Sequence, residues 1–278
     1  MRAPPAWASA GGEDRFGPWA MLTVAGVHQR LRWIPPGPFT QGSPEAEVGR
    51  FDTEGPARPV TLTAGLWLGE TPVTQALWQA VMGDNPSRFP DPRRPVEQVS
   101  WDDAQRMLAR LRAAHGCPAA LPTEAQWEAA CRAGTRTATW ADDLTLQADP
   151  DGGEARAPEL DPIAWHLGNS AQGFDHPNGH GLLDGRVAGT RAVGLKPPNP
   201  WGLYDMLGNV WEWVWDLNGV YPPGDVTDPT GPSTGSARAN RGGGYGNTAA
   251  DVRLANRRGD PPDTRETFLG FRLVRTVP

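Results

Sequence analysis

Cysteine is scarce in this sequence, and neither cysteine is placed for the usual structural uses of the residue. Cys117 and Cys131 form no spaced metal-binding pair and no regular disulfide framework. Cys131 lies at helical spacing from Trp127, which favours a small buried core residue. The cysteine usage therefore excludes a disulfide-rich secreted scaffold.

Lysine is almost absent as well. Lys196 is the one lysine among 26 basic residues, a bias that fits either genomic base composition or a thermostable protein. The formal net charge is −6, so no overall positive field would attract DNA or RNA. We therefore expect no nucleic-acid partner.

Long apolar runs are also missing. No stretch approaches the length of a membrane span, and the first 25 residues lack a basic start followed by an apolar block. We expect no membrane partner and a cytoplasmic location.

Tryptophan, glycine and proline are abundant, with 13, 34 and 30 residues respectively. This combination favours an ordered, loop-rich fold with bulky core residues over a helical bundle. The length of 278 residues allows one large domain or two ordinary ones. Residues 1–16 are rich in proline, alanine, glycine and charge, which predicts a tail or the remnant of a linker.

Three helices can be predicted from their capping residues and apolar stripes. The predicted caps are Thr74 before a helix over 75–82 that stops at Gly83, Ser100 with Asp103, and Thr123 with Gln126. In contrast, residues 141–200 contain no pattern that predicts a helix longer than a turn or two.

The densest apolar stretch, residues 201–215, offers no helix cap and ends in a strand pattern. A two-residue period places side chains on two faces: Trp211, Trp213 and Trp215 on one, and Val210, Glu212 and Val214 on the other. A carboxylate among apolar neighbours is neutralised, paired with a cation or bound to a metal. For Glu212 both a salt bridge to an arginine and a metal ion stay open.

Residues 202–213, GLYDMLGNVWEW, resemble the core motif of the formylglycine-generating and sulfatase-modifying family. Residues 33–39 with Gly42 and Ser43, residues 121–128, and residues 270–274 match further motifs in the family's order. The resemblance implies one α+β domain over 17–278 with a C-type-lectin-like fold. Such a fold has short antiparallel strands, few short helices and much irregular loop.

Catalytic members of this family use two cysteines that hold copper and activate oxygen. Aligning residues 242–245 with the family's Gly-Gly-Ser-Tyr-like turn puts these positions at Asn247 and Val252. Neither residue can form a thiolate, which is the species that ligates and reacts. We therefore expect a protein that is not an enzyme and holds no copper.

The resemblance also implies a structural calcium site. Its ligands would be the carboxylate of Glu212 and main-chain carbonyls around Leu207, Gly208 and Val210. Oxygen ligands of this kind suit calcium.

Residues 241–274, which we term the C-terminal segment, resemble the variable region of diversity-generating retroelement target proteins. A fixed frame would comprise residues 241–243, Arg253, Ala255, Arg257, Arg265 and residues 270–274. Among the residues between them, we predict these ligand-binding positions: Tyr245, Asn247, Thr248, Asp251, Asn256, Arg258, Asp260, Asp263, Thr267 and Phe268. Aromatic anchors mixed with small polar residues are typical of a paratope-like face.

The resulting hypothesis is a non-catalytic, receptor-like variable protein that binds a protein ligand, and we expect it to be a monomer. One alternative is an oxidoreductase of the formylglycine-generating type that acts on peptide cysteines. Another is an accessory domain attached to a larger enzyme, which residues 1–16 would allow as a linker.

Overall fold

A computed structural model describes residues 5–148, 156–181 and 186–276. In this part of the chain three α-helices combine with four small sheets, which confirms the predicted α+β class. The helices are α1 (Gln75–Met82), α2 (Trp101–His115) and α3 (Glu124–Arg132). None of the described helices is long and apolar enough to cross a membrane.

The helices begin at the predicted caps. The side chains of Thr74, Ser100 and Thr123 each accept a hydrogen bond from the backbone three residues on, at 3.2, 3.1 and 3.1 Å. Gly83 ends α1 in the left-handed conformation that a side chain disfavours. Local capping chemistry therefore set the helix bounds correctly.

Fourteen described strands form the sheets. They are β1 (Ala10–Asp14), β2 (Gly17–Val24), β3 (Val27–Ile34), β4 (Gly37–Gln41), β5 (Arg58–Leu62), β6 (Leu66–Gly69), β7 (His180–Gly181), β8 (Val187–Ala188), β9 (Trp211–Leu217), β10 (Val226–Thr227), β11 (Arg238–Arg241), β12 (Arg257–Asp260), β13 (Leu269–Phe271) and β14 (Val274–Thr276). Most pairs are antiparallel, as predicted, but β13 runs parallel to β9 and β10 parallel to β5.

The first sheet corrects the prediction of a tail at residues 10–14, and residues 1–4 of that predicted tail lie outside the described residues. Its order is β1-β2-β3-β6-β14, and β1 pairs along its whole length with β2, Ala10 lying opposite Met21. Residues 10–14 therefore belong to the folded domain. The sequence of β1, AGGED, has no alternation of apolar side chains that would predict a strand. Its main-chain hydrogen bonds to β2 make it one.

The sheet β12-β11-β9-β13 carries the tryptophan-rich strand and separates two core clusters. Trp211 and Trp213 pack with α1 and α2, whereas Val214 packs with Trp127 of α3. Trp215 differs from the other two tryptophans of its predicted face, because it is 42% exposed. The alternation predicted for β9 is thus confirmed except at its end. Cys131 lies in the second core cluster, as predicted.

Candidate ligand-binding surface of the C-terminal segment

Four buried arginines fasten the C-terminal segment to distant elements. Arg241, Arg253 and Arg272 are 0% exposed and Arg257 is 6% exposed. Their acidic partners are Glu124 and Glu128 of α3 for Arg241, Glu47 and Glu54 for Arg253, Glu124 for Arg257, and Glu212 of β9 for Arg272. Much of the positive charge of the C-terminal segment is therefore neutralised inside the protein.

For Glu124 and Glu54 the paired arginines outweigh the effect of burial on the carboxyl pKa. Burial alone would raise the pKa of Glu124, but Arg257 and Arg241 hold it below its ordinary value. Burial acts in the same direction on Glu54, and Arg253 again lowers the pKa below the ordinary value. Each guanidinium therefore stabilises a carboxylate that would be costly to leave alone.

The two positions that carry cysteine in catalytic relatives are structural here. The side-chain oxygen of Asn247 accepts hydrogen bonds from the Trp211 indole at 2.8 Å and from the Gly244 backbone at 3.0 Å. Val252 is fully buried in the second core cluster. Burial raises the pKa of both cysteine thiols of the chain, and both lie elsewhere in the core. This site therefore offers no thiolate to copper.

The predicted ligand-binding residues divide by exposure. Asp263 is exposed, and six others are half-buried: Asn247, Thr248, Asp251, Arg258, Thr267 and Phe268. The remaining three are buried: Tyr245, Asn256 and Asp260. Alternation of residue types along the sequence does not reveal this division, because the segment is mostly irregular between its strands.

Tyr245 corrects the prediction of an aromatic anchor on the surface. It is 1% exposed, and its ring lies edge-on to Phe89 at 5.8 Å and to Phe268 at 6.4 Å. Its hydroxyl shares a hydrogen bond of 3.0 Å with Thr267. Tyr245 therefore forms the floor under the surface, and Phe268 is the aromatic residue left in partial contact with solvent.

Three polar residues expected to contact ligand form hydrogen bonds with other residues of the protein. The Asn256 side chain donates to the Asp251 carbonyl at 2.6 Å, and the Asp251 carboxylate accepts from the backbone and hydroxyl of Thr248. Asp260 accepts from Asn240 at 2.7 Å. Burial of Asn256 and Asp260 corrects their prediction as ligand contacts, whereas the half-buried Asp251 stays a prediction.

A smaller surface remains, which we call the binding patch: Asn247, Arg258, Glu266, Thr267 and Phe268. Arg258 pairs with Glu266 at 3.3 Å and lies 5.8 Å from the centroid of the Phe268 ring. A side-chain atom added at Gly244 would lie 3.1 Å from Phe268 and 3.3 Å from Asn247, so these two residues flank the glycine. The patch thus combines a half-buried aromatic ring with charges of both signs.

Two residues beneath the patch come from outside the segment and were missed from the sequence. Phe89 is fully buried and also contacts Phe174, at 6.1 Å between centroids. Glu97 accepts a hydrogen bond from the Phe89 backbone at 3.0 Å, and its second oxygen has no partner in the described part of the chain. Burial raises the pKa of Glu97 to about 7. No local pattern distinguishes either residue from ordinary loop or core residues.

The predicted calcium ligand Glu212 has a cation within the protein. Arg272 donates to both of its oxygens, at 2.8 to 3.2 Å, and the Trp127 indole donates at 2.7 Å. The salt-bridge alternative is therefore realised, and Glu212 in this arrangement does not fit a calcium ligand. The site with Leu207, Gly208 and Val210 stays a prediction.

The fold and its motifs define an α+β domain of the formylglycine-generating-enzyme type. Residues 26–277 match the family model described as a sulfatase-modifying factor enzyme 1-like domain. The chain belongs to this family, which confirms the resemblance read from its four motifs.

Relatives of the chain include both enzymes and proteins described as inactive. A formylglycine-generating enzyme of Thermomonospora curvata is 34% identical, over 73% of this chain and 62% of the relative. An inactive Cα-formylglycine-generating enzyme 2 of Mus musculus is 30% identical, over 74% of this chain and 57% of the relative. The chain thus spans about six tenths of the length of these relatives.

Solved structures extend the similarity. Treponema denticola variable protein 1 has a TM-score of 0.73 and 27% identity, with 92% of this chain and 98% of that one covered. PvdO from Pseudomonas aeruginosa has a TM-score of 0.69 and 24% identity over the whole of both chains, which supports the fold alone.

Proposed function

We propose that this chain is a non-catalytic, ligand-binding variable protein of a diversity-generating retroelement, and that its binding patch contacts a protein ligand. The observation that carries the proposal is the separation within the C-terminal segment between buried ion-paired arginines and half-buried or exposed residues of mixed type. Similarity to Treponema denticola variable protein 1 supports the same reading.

The separation matters because a diversified surface must change without unfolding the domain. Arg257 and Arg272 attach the segment to α3 and β9 on either side of the patch. Between them, Asp263 is exposed and Thr264 is half-buried. Glu266 is also half-buried, and its side chain pairs with the partly exposed Arg258. Substitutions at such positions usually change stability by less than about 0.5 kcal/mol.

Mixed chemistry suits the patch to a protein surface. Phe268 supplies apolar area, whereas Arg258 and Glu266 supply charges that can form new ion pairs with a partner. Aromatic and arginine residues surrounded by polar groups are typical of interface centres.

The enzyme alternative keeps one specific support, the 34% identity to a formylglycine-generating enzyme. Copper chemistry of that kind would need thiolates, and Asn247 and Val252 stand at the two positions. If the chain were instead an accessory domain of a larger enzyme, the binding patch would need no ligand of its own.

A comparison of DNA sequences tests the proposal most directly. We expect a near-copy of the codons for residues 241–274 beside a reverse-transcriptase gene, differing where the copy has adenine. The differences should fall at codons of residues of the binding patch such as Arg258 and Thr267, and codons for Arg253 and Arg272 should match the copy. Absence of the copy would contradict the retroelement assignment.

An activity measurement tests the non-catalytic part separately. Purified protein incubated with copper and a cysteine-containing peptide should consume oxygen no faster than copper and the peptide do without the protein. A variant with Asn247→Cys and Val252→Cys provides a matched comparison, because it restores both thiols to the same fold. Oxygen uptake by the unaltered protein would overturn the proposal.

A further inference from the structure

A cavity of about 250 Å³ lies away from the binding patch, between the loop that follows β9 and the strands β4 and β5. Its polar lining includes Gln41, Arg58, Asp216, Tyr221 and Arg257. Arg257 enters its wall, whereas the next residue, Arg258, lies by Phe268 in the patch. Adjacent residues of β12 thus serve two separate surfaces.

Arg58 is the unusual member of this lining. It is 4% exposed, yet no carboxylate among residues 5–148, 156–181 and 186–276 lies within 4.0 Å of its guanidinium. Its partners are neutral oxygens: the Gln41 side chain at 2.9 and 3.1 Å, and the Pro222 carbonyl at 3.4 Å. A buried cation with neutral partners is costly, and an anion beside it would stabilise it.

Gln41 adds a free donor to the same wall. Its side-chain oxygen accepts from Arg58, and its side-chain nitrogen has no hydrogen-bond partner in the described part of the chain. Gln41 is 0% exposed. An unpartnered buried donor next to an unpaired guanidinium favours a ligand that brings acceptor oxygens.

The two acidic groups of the cavity are either paired or carry a reduced negative charge. Glu124 is already paired with Arg257 at 2.6 Å. Burial raises the pKa of Asp216 to about 7, so this carboxyl is partly protonated at neutral pH. The Tyr221 ring lies between the guanidinium groups of Arg58 and Arg257, 4.6 and 4.1 Å from its centroid.

Much of the remaining lining is apolar. Val226, Pro229 and Pro232 form one side, and Val220, which is 83% exposed, lies at the rim. We propose that this cavity binds a small monoanionic carboxylic acid, with its carboxylate against Arg58 and Gln41 and its apolar body against the valine and prolines. This inference is independent of the proposed function of the patch.

Benzoate is a suitable probe because it joins one carboxylate to a compact apolar ring. Titration calorimetry with the full chain should show binding of benzoate at least about tenfold tighter than that of neutral benzamide or smaller acetate. Benzoate should also raise the melting temperature, and the rise should grow with the logarithm of its concentration above the dissociation constant. Equal affinity for benzoate and benzamide, or no binding of benzoate at millimolar concentration, would overturn the proposal.

Two variants locate the binding. Arg58→Gln should weaken benzoate binding at least about tenfold, and the control Arg93→Gln, whose side chain is 78% exposed, should bind as the unaltered protein does. If Arg58→Gln fails to fold, Val220→Trp narrows the rim from an exposed position and should weaken binding without loss of stability. Unchanged benzoate binding in whichever of the two variants folds would contradict the assignment.

Discussion

Within the C-terminal segment, residues that hold the fold and residues that face solvent alternate over short distances. Arg257 is buried against Glu124, whereas Arg258, its neighbour in the chain, is half-exposed against Glu266. The same amino acid therefore has two roles that differ by which face of β12 it occupies. Frame residues differ from surface residues in how deeply they are buried and in how far along the chain their partner lies. Residue type does not distinguish them.

The range of the contacts explains the division. Arg253 reaches Glu54 and Arg272 reaches Glu212, so each joins elements far apart in the chain. Arg258 pairs instead with Asp260 and Glu266, only a few residues away. Loss of a long-range buried pair should loosen the domain, whereas loss of a short-range exposed pair should alter only the surface.

Removal of one frame arginine should have the largest effect. Arg272→Met would leave Glu212 buried without its cation and would free carbonyls of Gly69 and Tyr204, which Arg272 now binds at 2.7 and 2.8 Å. We expect the free energy of unfolding to fall by about 4 kcal/mol, measured by urea denaturation.

Arg265→Met is the matched control for this variant. Arg265 belongs to the predicted frame, but its side chain is 47% exposed and pairs with Asp103 at 2.8 Å. A loss below about 1 kcal/mol is expected, as for other exposed pairs. Equal losses at Arg265 and Arg272 would break the distinction between frame and surface.

Glu97, beneath the patch, should give the next largest effect, and the effect should depend on pH. Because burial raises its folded pKa from 4.5 to about 7, the folded state holds the proton more tightly than the unfolded state. Its contribution to stability is present below pH 4.5 and is lost progressively up to pH 7. Glu97→Gln removes this loss.

The variant Glu97→Gln should therefore gain stability relative to the unaltered protein between pH 5 and pH 8, by up to about 3 kcal/mol. Denaturant titrations at the two pH values measure the difference. Glu266→Gln makes the same chemical change in the patch and serves as the comparison. A gain for Glu97→Gln that is the same at both pH values would contradict burial as the cause.

Exposed and half-buried positions between Arg257 and Arg272 should tolerate change almost freely. We expect Asp263→Ala, Thr264→Ala and Glu266→Ala each to alter the free energy of unfolding by less than about 0.5 kcal/mol, measured by denaturant titration. Tyr245→Ala is the contrast in the same segment, because it removes a buried ring and should cost about 3 to 5 kcal/mol. Large losses at the exposed positions would show that the frame extends through the patch.

The sequence predicted those features whose causes are local. Capping residues located α1, α2 and α3, and residue alternation located β9, because a few neighbouring residues decide each of them. Family motifs supplied the fold class and indicated that Asn247 and Val252 stand at the positions of the family's two cysteines. The strand β1 was missed since only its pairing partner makes it a strand.

The binding surface was predicted less well for the same reason. Tyr245 and Asp260 have residue types typical of a paratope, but packing against Phe89 and a bond from Asn240 bury them. Glu97 and Phe89 come from another part of the chain, and periodicity cannot show that they meet the C-terminal segment. Long-range proximity therefore decided which predicted residues became available to a ligand.

Removal of calcium should have the smallest effect. The experiment tests whether Arg272 or a calcium ion neutralises Glu212. Arg272 already neutralises Glu212, so a chelator should shift the melting temperature by less than about 1 °C, measured by calorimetry with and without added calcium. A drop of several degrees, restored by calcium and not by magnesium, would instead show that Glu212 and the carbonyls of Leu207, Gly208 and Val210 hold an ion. Glu212→Gln would then abolish the calcium response, and Arg272 would be a partner of the metal site rather than its replacement.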